Sequence, residues 1–143
     1  MTQLDFYILK APYPGDRYQF ACRLTEKVYG LGRRVYLHAG SDGEARHLDR
    51  LLWTFRDGSF VPHGLLGNAD PRLTPVLLGS GRDPTGEDDV LINIAPEVPA
   101  FFSRFQRVAE IVDGDPERLR ADRARFRFYR ERNHPVHTHE LRQ

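Results

Sequence analysis

Residues 90–94 read Val-Leu-Ile-Asn-Ile, an apolar run with no alternation of polar and apolar positions. A run this short reads as a strand, and a strand apolar on both sides belongs in a parallel sheet covered on both faces. The rest of the chain supplies what such a sheet needs. Residues 4–9, 34–38, 76–78 and 108–112 are further β-prone runs. Residues 11–15, rich in Pro and Gly, read as a loop. Asp16 is placed to cap a helix running to about Tyr29, with Phe20, Ala21, Leu24 and Val28 at helical spacing, and Gly30-Leu31-Gly32 stops it. Ser41 and Glu44 stand three apart as a capping box, opening a helix that carries Ala45, Leu48, Leu51 and Leu52 and ends near Trp53. Residues 56–89 are punctuated by Gly and Pro and read as loop around the 76–78 strand. Residues 98–105, with three Phe, are expected to form a short helix. Asp115-Pro116 pairs an N-cap with a proline at the first helical position, opening a last helix.

The predicted order is β-α-β-α-β-β-α-β-α. It implies an α/β fold with a mostly parallel sheet and helices on both faces, a Rossmann-like three-layer arrangement. Residues 1–132 form a single domain on this reading. Residues 133–143, with His134, His137, His139 and Glu140, are expected to be an irregular C-terminal tail. A chain of 143 residues fits one domain able to bury its own core. The lone cysteine, Cys22, excludes an internal disulfide, fits a reducing compartment, and reads as a small buried hydrophobe. The first residues lack a cationic leader, and no run is long enough to span a membrane, so a cytoplasmic location is expected.

Enzymatic readings find little to rest on. The first strand-helix connection lacks the glycine fingerprint of dinucleotide binding, Gly30-Leu31-Gly32 follows a helix instead, and there is no P-loop. Ser41, Ser59, Ser80 and Ser103 lie in no nucleophile elbow. His38 and His63 are isolated imidazoles, read as structural or surface groups. Asp88-Asp89 precede a strand, where a metal-dependent nuclease could place carboxylates, but a solvated turn is the favoured reading. The histidines of the tail lack a second cluster and a rigid frame. No catalytic residue, metal or cofactor is expected.

Binding surfaces are better supported. The formal net charge is only +1, so the argument rests on where charge sits. Residues 115–132 carry seven Arg against Asp115, Glu117, Asp122 and Glu131. Arg123, Arg127 and Arg130 fall at i, i+4 and i+7 and share a helix face, with Phe126 on a neighbouring stripe. Phe128 and Tyr129 are expected to pin the helix to the sheet, leaving Phe126 near the boundary. A cationic face with an apolar floor suits an acidic ligand with a hydrophobic anchor. The interleaving of Arg and aromatics also suits single-stranded nucleic acid. Trp53 and Phe60 sit where the helical pattern runs out, among Arg56, Asp57 and Gly58, and read either as core or as an interaction anchor.

Three blocks of the chain resemble the chi subunit of the bacterial DNA polymerase III holoenzyme. They are the opening strand Phe6-Tyr7-Ile8-Leu9, the stretch from Arg34-Val35 through Leu48-Asp49 and Leu52-Trp53 to Ser59-Phe60-Val61-Pro62-His63, and Asp89-Val90-Leu91-Ile92-Asn93 with the Arg-aromatic helix at 125–130. The resemblance implies a noncatalytic adaptor in the clamp-loader assembly. It would join the psi subunit to single-stranded DNA-binding protein, whose acidic C-terminal tail ends in a phenylalanine carboxylate. It also implies that Val112, Arg123, Phe126 and Arg127 receive that tail, with Phe126 in place of a usual Tyr and Arg127 in place of a usual Lys. It places Trp53 and Phe60 on the surface for psi, where an accessory helicase would compete. Residues after Arg132 match less well. The alternatives are a direct single-stranded nucleic-acid binder and a nucleotide- or metal-dependent hydrolase on the same scaffold.

Overall fold

The computed structural model describes residues 2–11 and 15–142. Seven strands form one sheet in the order β3-β4-β2-β5-β6-β1-β7, and every neighbouring pair is parallel. The strands are β1 (Gln3–Leu9), β2 (Val35–Ala39), β3 (His63–Leu65), β4 (Val76–Ser80), β5 (Val90–Asn93), β6 (Arg107–Val112) and β7 (Val136–Leu141). The helices are α1 (Arg17–Gly30), α2 (Asp42–Thr54) and α3 (Pro116–Glu131). Every residue of β2 and of β5 is buried, as the unbroken apolar run at 90–94 requires. Side-chain alternation along the strands feeds two cores. Val35, Leu37, Val90 and Ile92 pack beneath α1 and α2 with Phe20, Leu24, Leu48 and Leu52. Leu4, Phe6, Tyr36 and Leu91 pack on the other face with Phe102, Phe105 and Tyr129. No helix is long and apolar enough to cross a membrane, among the described residues.

The helix starts are where the sequence puts them. Asp16 accepts from the Gln19 N–H at 2.9 Å, and Asp115 accepts from Glu117 at 2.8 Å ahead of Pro116. Ser41 accepts from Glu44 at 3.1 Å. Glu44 reaches back one residue further than a capping box usually does, to the Gly40 N–H at 2.7 Å. Its other oxygen takes the Tyr18 hydroxyl at 2.6 Å and Arg17 at 3.0 Å, tying the starts of α1 and α2 together.

Three expectations change. Residues 98–105 contain only a 3-10 turn, Phe102–Arg104. The backbone bonds there close tight turns three residues apart, Phe102 N–H to the Pro99 carbonyl and Phe105 N–H to the Phe102 carbonyl, each at 3.1 Å, and the run is too short to continue as an α-helix. Residues 63–65 add a short edge strand. The tail from 133 is not irregular throughout, because β7 pairs with β1 from Leu4↔Val136 to Leu9↔Leu141. Asn133, with φ 62°, turns the chain from α3 into that strand in a conformation Asn tolerates. Of the predicted loop at 11–15, Pro12, Tyr13 and Pro14 lie outside the described residues.

A buried polar network fastens α3 to the sheet. Arg125 donates to Glu110 of β6 at 2.8 Å, to Asp122 at 2.9 Å and to the Pro96 carbonyl at 3.1 Å. The Tyr129 hydroxyl donates to the other Glu110 oxygen at 2.6 Å. The Asn93 amide donates to Glu110 at 3.0 Å. Asn93 Oδ1 lies 2.9 Å from His38 Nδ1, and His38 Nε2 accepts the Gly81 N–H at 3.2 Å, which assigns the proton to Nδ1. Burial pushes the Glu110 carboxyl up, opposed by Arg125, Tyr129 and Asn93. The Arg125 and Glu110 side chains are 4% and 0% exposed. Arg125→Met strands the Glu110 charge and is expected to lower unfolding free energy by about 3–5 kcal/mol, read by urea denaturation; a loss within error of zero contradicts the clamp. Burial also lowers the His38 pKa, against the Asn93 hydrogen bond and the Glu44 charge. The unfolded chain takes up this proton near pH 6.5 and the folded chain only below it, so stability falls as pH drops through about 6.5. The fall in urea midpoint between pH 7.5 and 5.5 is expected to be smaller in His38→Asn; an equal fall contradicts the assignment.

Candidate functional site

With Arg125 turned inward, α3 presents its other arginines to solvent. Arg123 and Arg127 are exposed, and among the described residues neither has an ion-pair or hydrogen-bond partner. Near the start of the helix, by contrast, Arg118 is held by Asp113 at 2.6 Å and Asp115 at 3.1 Å. Phe126 is half-buried and meets Phe6 edge to face, ring centroids 5.2 Å apart. The Arg130 guanidinium lies 5.7 Å from the centre of the Phe126 ring. Phe126, Arg127, Arg130 and Glu131 line an open hollow of about 340 Å³. Phe126 is its apolar wall, and Arg127, Arg130 and Glu131 are its charged ones.

The four residues assigned by resemblance are only partly together. Phe126 and Arg127 share the hollow. Arg123 stands one turn earlier, about 6 Å along the axis. Val112, at the end of β6, packs on the same apolar cluster as Phe126 but opens into a neighbouring cleft with Arg118, Ala121, Asp122 and Arg125. Arg130 is a wall of the hollow that the resemblance did not supply, although its spacing from Arg123 and Arg127 puts it on the same face. Tyr129 is fully buried, and Phe128 lies under the Arg132 guanidinium at 3.6 Å. The aromatics of α3 therefore do not form an open stacking platform.

A second surface lies at the other end of the sheet. Trp53 and Phe60 are 56% and 66% exposed, with ring centroids 6.1 Å apart. They are neighbours, whereas the other exposed large hydrophobics, Leu31 and Leu73, are separate in sequence. Leu48 and Leu52 take the inward stripe of α2, so helical geometry turns Trp53 outward. The His63 ring supports Trp53 from below, centroids 4.6 Å apart. It is itself seated with Nε2 2.8 Å from the Asp49 carbonyl oxygen and Nδ1 2.6 Å from that of Val61. Glu26 of α1 accepts from Arg56 at 2.5 Å and from the Ser59 hydroxyl, and these two donors hold its carboxyl below the usual range. Gly58, at φ 77°, makes the turn between them. The loop that presents Phe60 is thus fastened at both ends.

The groups an enzyme reading would need are engaged elsewhere. Cys22 is fully buried, and burial pushes its thiol up to about 12. Asp89 accepts from Arg33 at 2.7 Å and from the Arg34 N–H at 2.9 Å; against its burial, these donors hold its carboxyl low. Among the described residues no group of three His, Cys, Asp or Glu side chains converges as a metal site. His139 faces Asp5 at 2.9 Å instead. A cleft of about 860 Å³ lies past the carboxyl ends of β2, β4 and β5, where α/β sheets commonly bind ligands. Its Gly40, Gly81 and Ala95 amides already donate to Glu44, His38 and Asn93. On its walls Arg104 is paired with Asp83 at 2.7 Å, which leaves Glu97 to oppose an anion.

The chain is similar to known proteins over nearly its whole length. Residues 1–137 match the family model described as DNA polymerase III chi subunit, HolC. DNA polymerase III subunit chi of Pseudomonas aeruginosa is 43% identical over 141 residues, covering 99% of this chain and 98% of that protein. The subunits chi of Haemophilus influenzae and Escherichia coli are 29% and 26% identical, over 88% and 91% of this chain and 88% and 92% of theirs. The chain belongs to the DNA polymerase III chi subunit family.

Proposed function

We propose that this chain is a noncatalytic adaptor of the DNA polymerase III clamp-loader assembly, joining the psi subunit to the acidic C-terminal tail of single-stranded DNA-binding protein. The observation that carries the reading is the pair of guanidiniums, Arg123 and Arg127, that have no partner among the described residues and stand beside the Phe126 hollow. The cations neutralise the acidic tail and its terminal carboxylate, and the hollow takes the terminal ring. Val112 packs on the same apolar cluster as Phe126 and opens into the adjoining cleft, where a neighbouring residue of the tail would lie. Psi occupies the Trp53–Phe60 surface, and an accessory helicase competes for it.

The two surfaces suit simultaneous binding. Trp53 and Phe60 lie by β3, while α3 lies by β1 and β7. Five strand spacings separate β3 from β1, about 24 Å. Weak capture of a tail at one end then raises the effective concentration of whatever is held at the other. No chemistry is required of the chain in this role, and its place in the cytoplasm follows from its partners.

Arg123→Ala and Arg127→Ala are each expected to weaken binding of an acidic peptide ending in phenylalanine by about 1–3 kcal/mol, measured by calorimetric titration. Added salt weakens the wild-type complex further. Wild-type affinity in both variants removes the site. Trp53→Ala is expected to leave that titration unchanged and to lose psi in co-purification, since an exposed Trp anchor carries about 2 kcal/mol or more of an interface. Retention of psi at wild-type yield contradicts the second surface.

A further inference from the structure

The sheet has a part that its helices leave open. α1 packs on β2 and β6, and α2 packs on β2, β3 and β4. On that same side, the outward residues of β1 and β7 include Tyr7, stacked on exposed His139 with ring centroids 4.8 Å apart. A groove of about 340 Å³ runs between α1 and this open portion. Its floor is apolar: Phe20, Leu24 and Val28 from α1, and Val90, Ala109 and Leu141 from the strands. Leu31, 70% exposed, stands at its edge.

Its rim is cationic. Arg23, Lys27, Arg33 and Arg107 line it, against Asp5. Arg107 donates to Asp5 at 3.2 Å, and Arg33 pairs with Asp89 at 2.5 Å. These two pairs leave Lys27 on the rim beside Arg23, which makes a contact of its own. Lys27 is exposed and, among the described residues, has no ion-pair partner.

We propose that this groove docks an acidic peptide segment carrying one bulky apolar side chain, at a site separate from α3. The apolar floor takes the side chain, and the rim takes the flanking carboxylates. A nucleic acid is the poorer fit, because of the rings that line the groove Phe20 is buried and Tyr7 is already stacked on His139. The groove lies on the opposite face of the sheet from α3. The proposal therefore stands or falls independently of the tail site.

The test uses the full chain and an acetylated, amidated peptide of four aspartates around a central phenylalanine. Amidation removes the terminal carboxylate that α3 is proposed to hold. Amide chemical-shift changes on titration are expected at Tyr7, Leu24, Lys27, Val28 and Ala109. Lys27→Glu, an exposed change on α1, is expected to weaken binding at least about fivefold, while Arg123→Ala leaves it unchanged. Replacing the four aspartates with asparagine is expected to weaken it at least as much. Shift changes confined to α3, equal affinity for Lys27→Glu, equal affinity for the asparagine peptide, or no saturation by about 1 mM peptide would each overturn the proposal.

Discussion

The contact between Arg125 and Glu110 decides how α3 lies on the sheet. This helix has few large apolar groups to place it. Tyr129 is buried, Phe126 and Phe128 are half-buried, and seven of the residues between 115 and 132 are arginine. A helix so polar could sit on an apolar sheet in several rotations. Glu110, fully enclosed in β6, accepts one of those arginines and the Tyr129 hydroxyl together. Successive residues turn by about 100°, so Arg123 and Arg127, two positions either side of Arg125, point about 200° away from it. Enclosing one guanidinium is what leaves the other two in water, without partners among the described residues. A buried ion pair is weak evidence for stability; here its consequence is the rotational setting of the helix.

The sheet supplies the second constraint. Being wholly parallel, it needs a crossover for each return, and the crossovers divide unevenly between its faces. α1 and α2 fill one face from the β3 edge to β6, and α3 crosses the other near β1 and β7. Three surfaces are left with unsatisfied character: the arginine flank of α3, the aromatic end of α2, and the groove beside α1. Each is made by an element whose inward side is fully committed to packing. The carboxyl-end cleft is the reverse case, since its backbone amides and buried polar side chains already satisfy one another.

Much of this was legible in the sequence, and the exceptions have physical causes. The caps at Asp16, Ser41 and Asp115 were readable because a cap is a local event between residues two or three apart. The apolar run at 90–94 announced its strand. β7 was not readable, since only Val136 and Leu141 are partly covered and the residues between them are exposed. An edge strand with one neighbour has no burial pattern to display, and its pairing with β1 is visible only in three dimensions. β3 is three residues long and includes Gly64. The role of Arg125 was missed among its neighbours. A signal was present, because Glu110 interrupts the apolar strand 108–112 and a buried acid calls for a cation. Arg125 stands four residues before Tyr129, on the stripe already expected to face the sheet. Of the proposed tail site, composition and spacing could supply the cationic face, but not that Val112 opens into a different cleft from Phe126.

The central claim is that α3 grips the charged end of an acidic chain. A double-mutant cycle tests it most directly, pairing wild type and Arg127→Ala with a phenylalanine-ended acidic peptide whose terminus is either free or amidated. The account predicts coupling: amidation weakens binding to the wild type and costs markedly less in the variant. Additive losses, with amidation costing the same in both proteins, would show that Arg127 does not meet the terminal carboxylate and would contradict it.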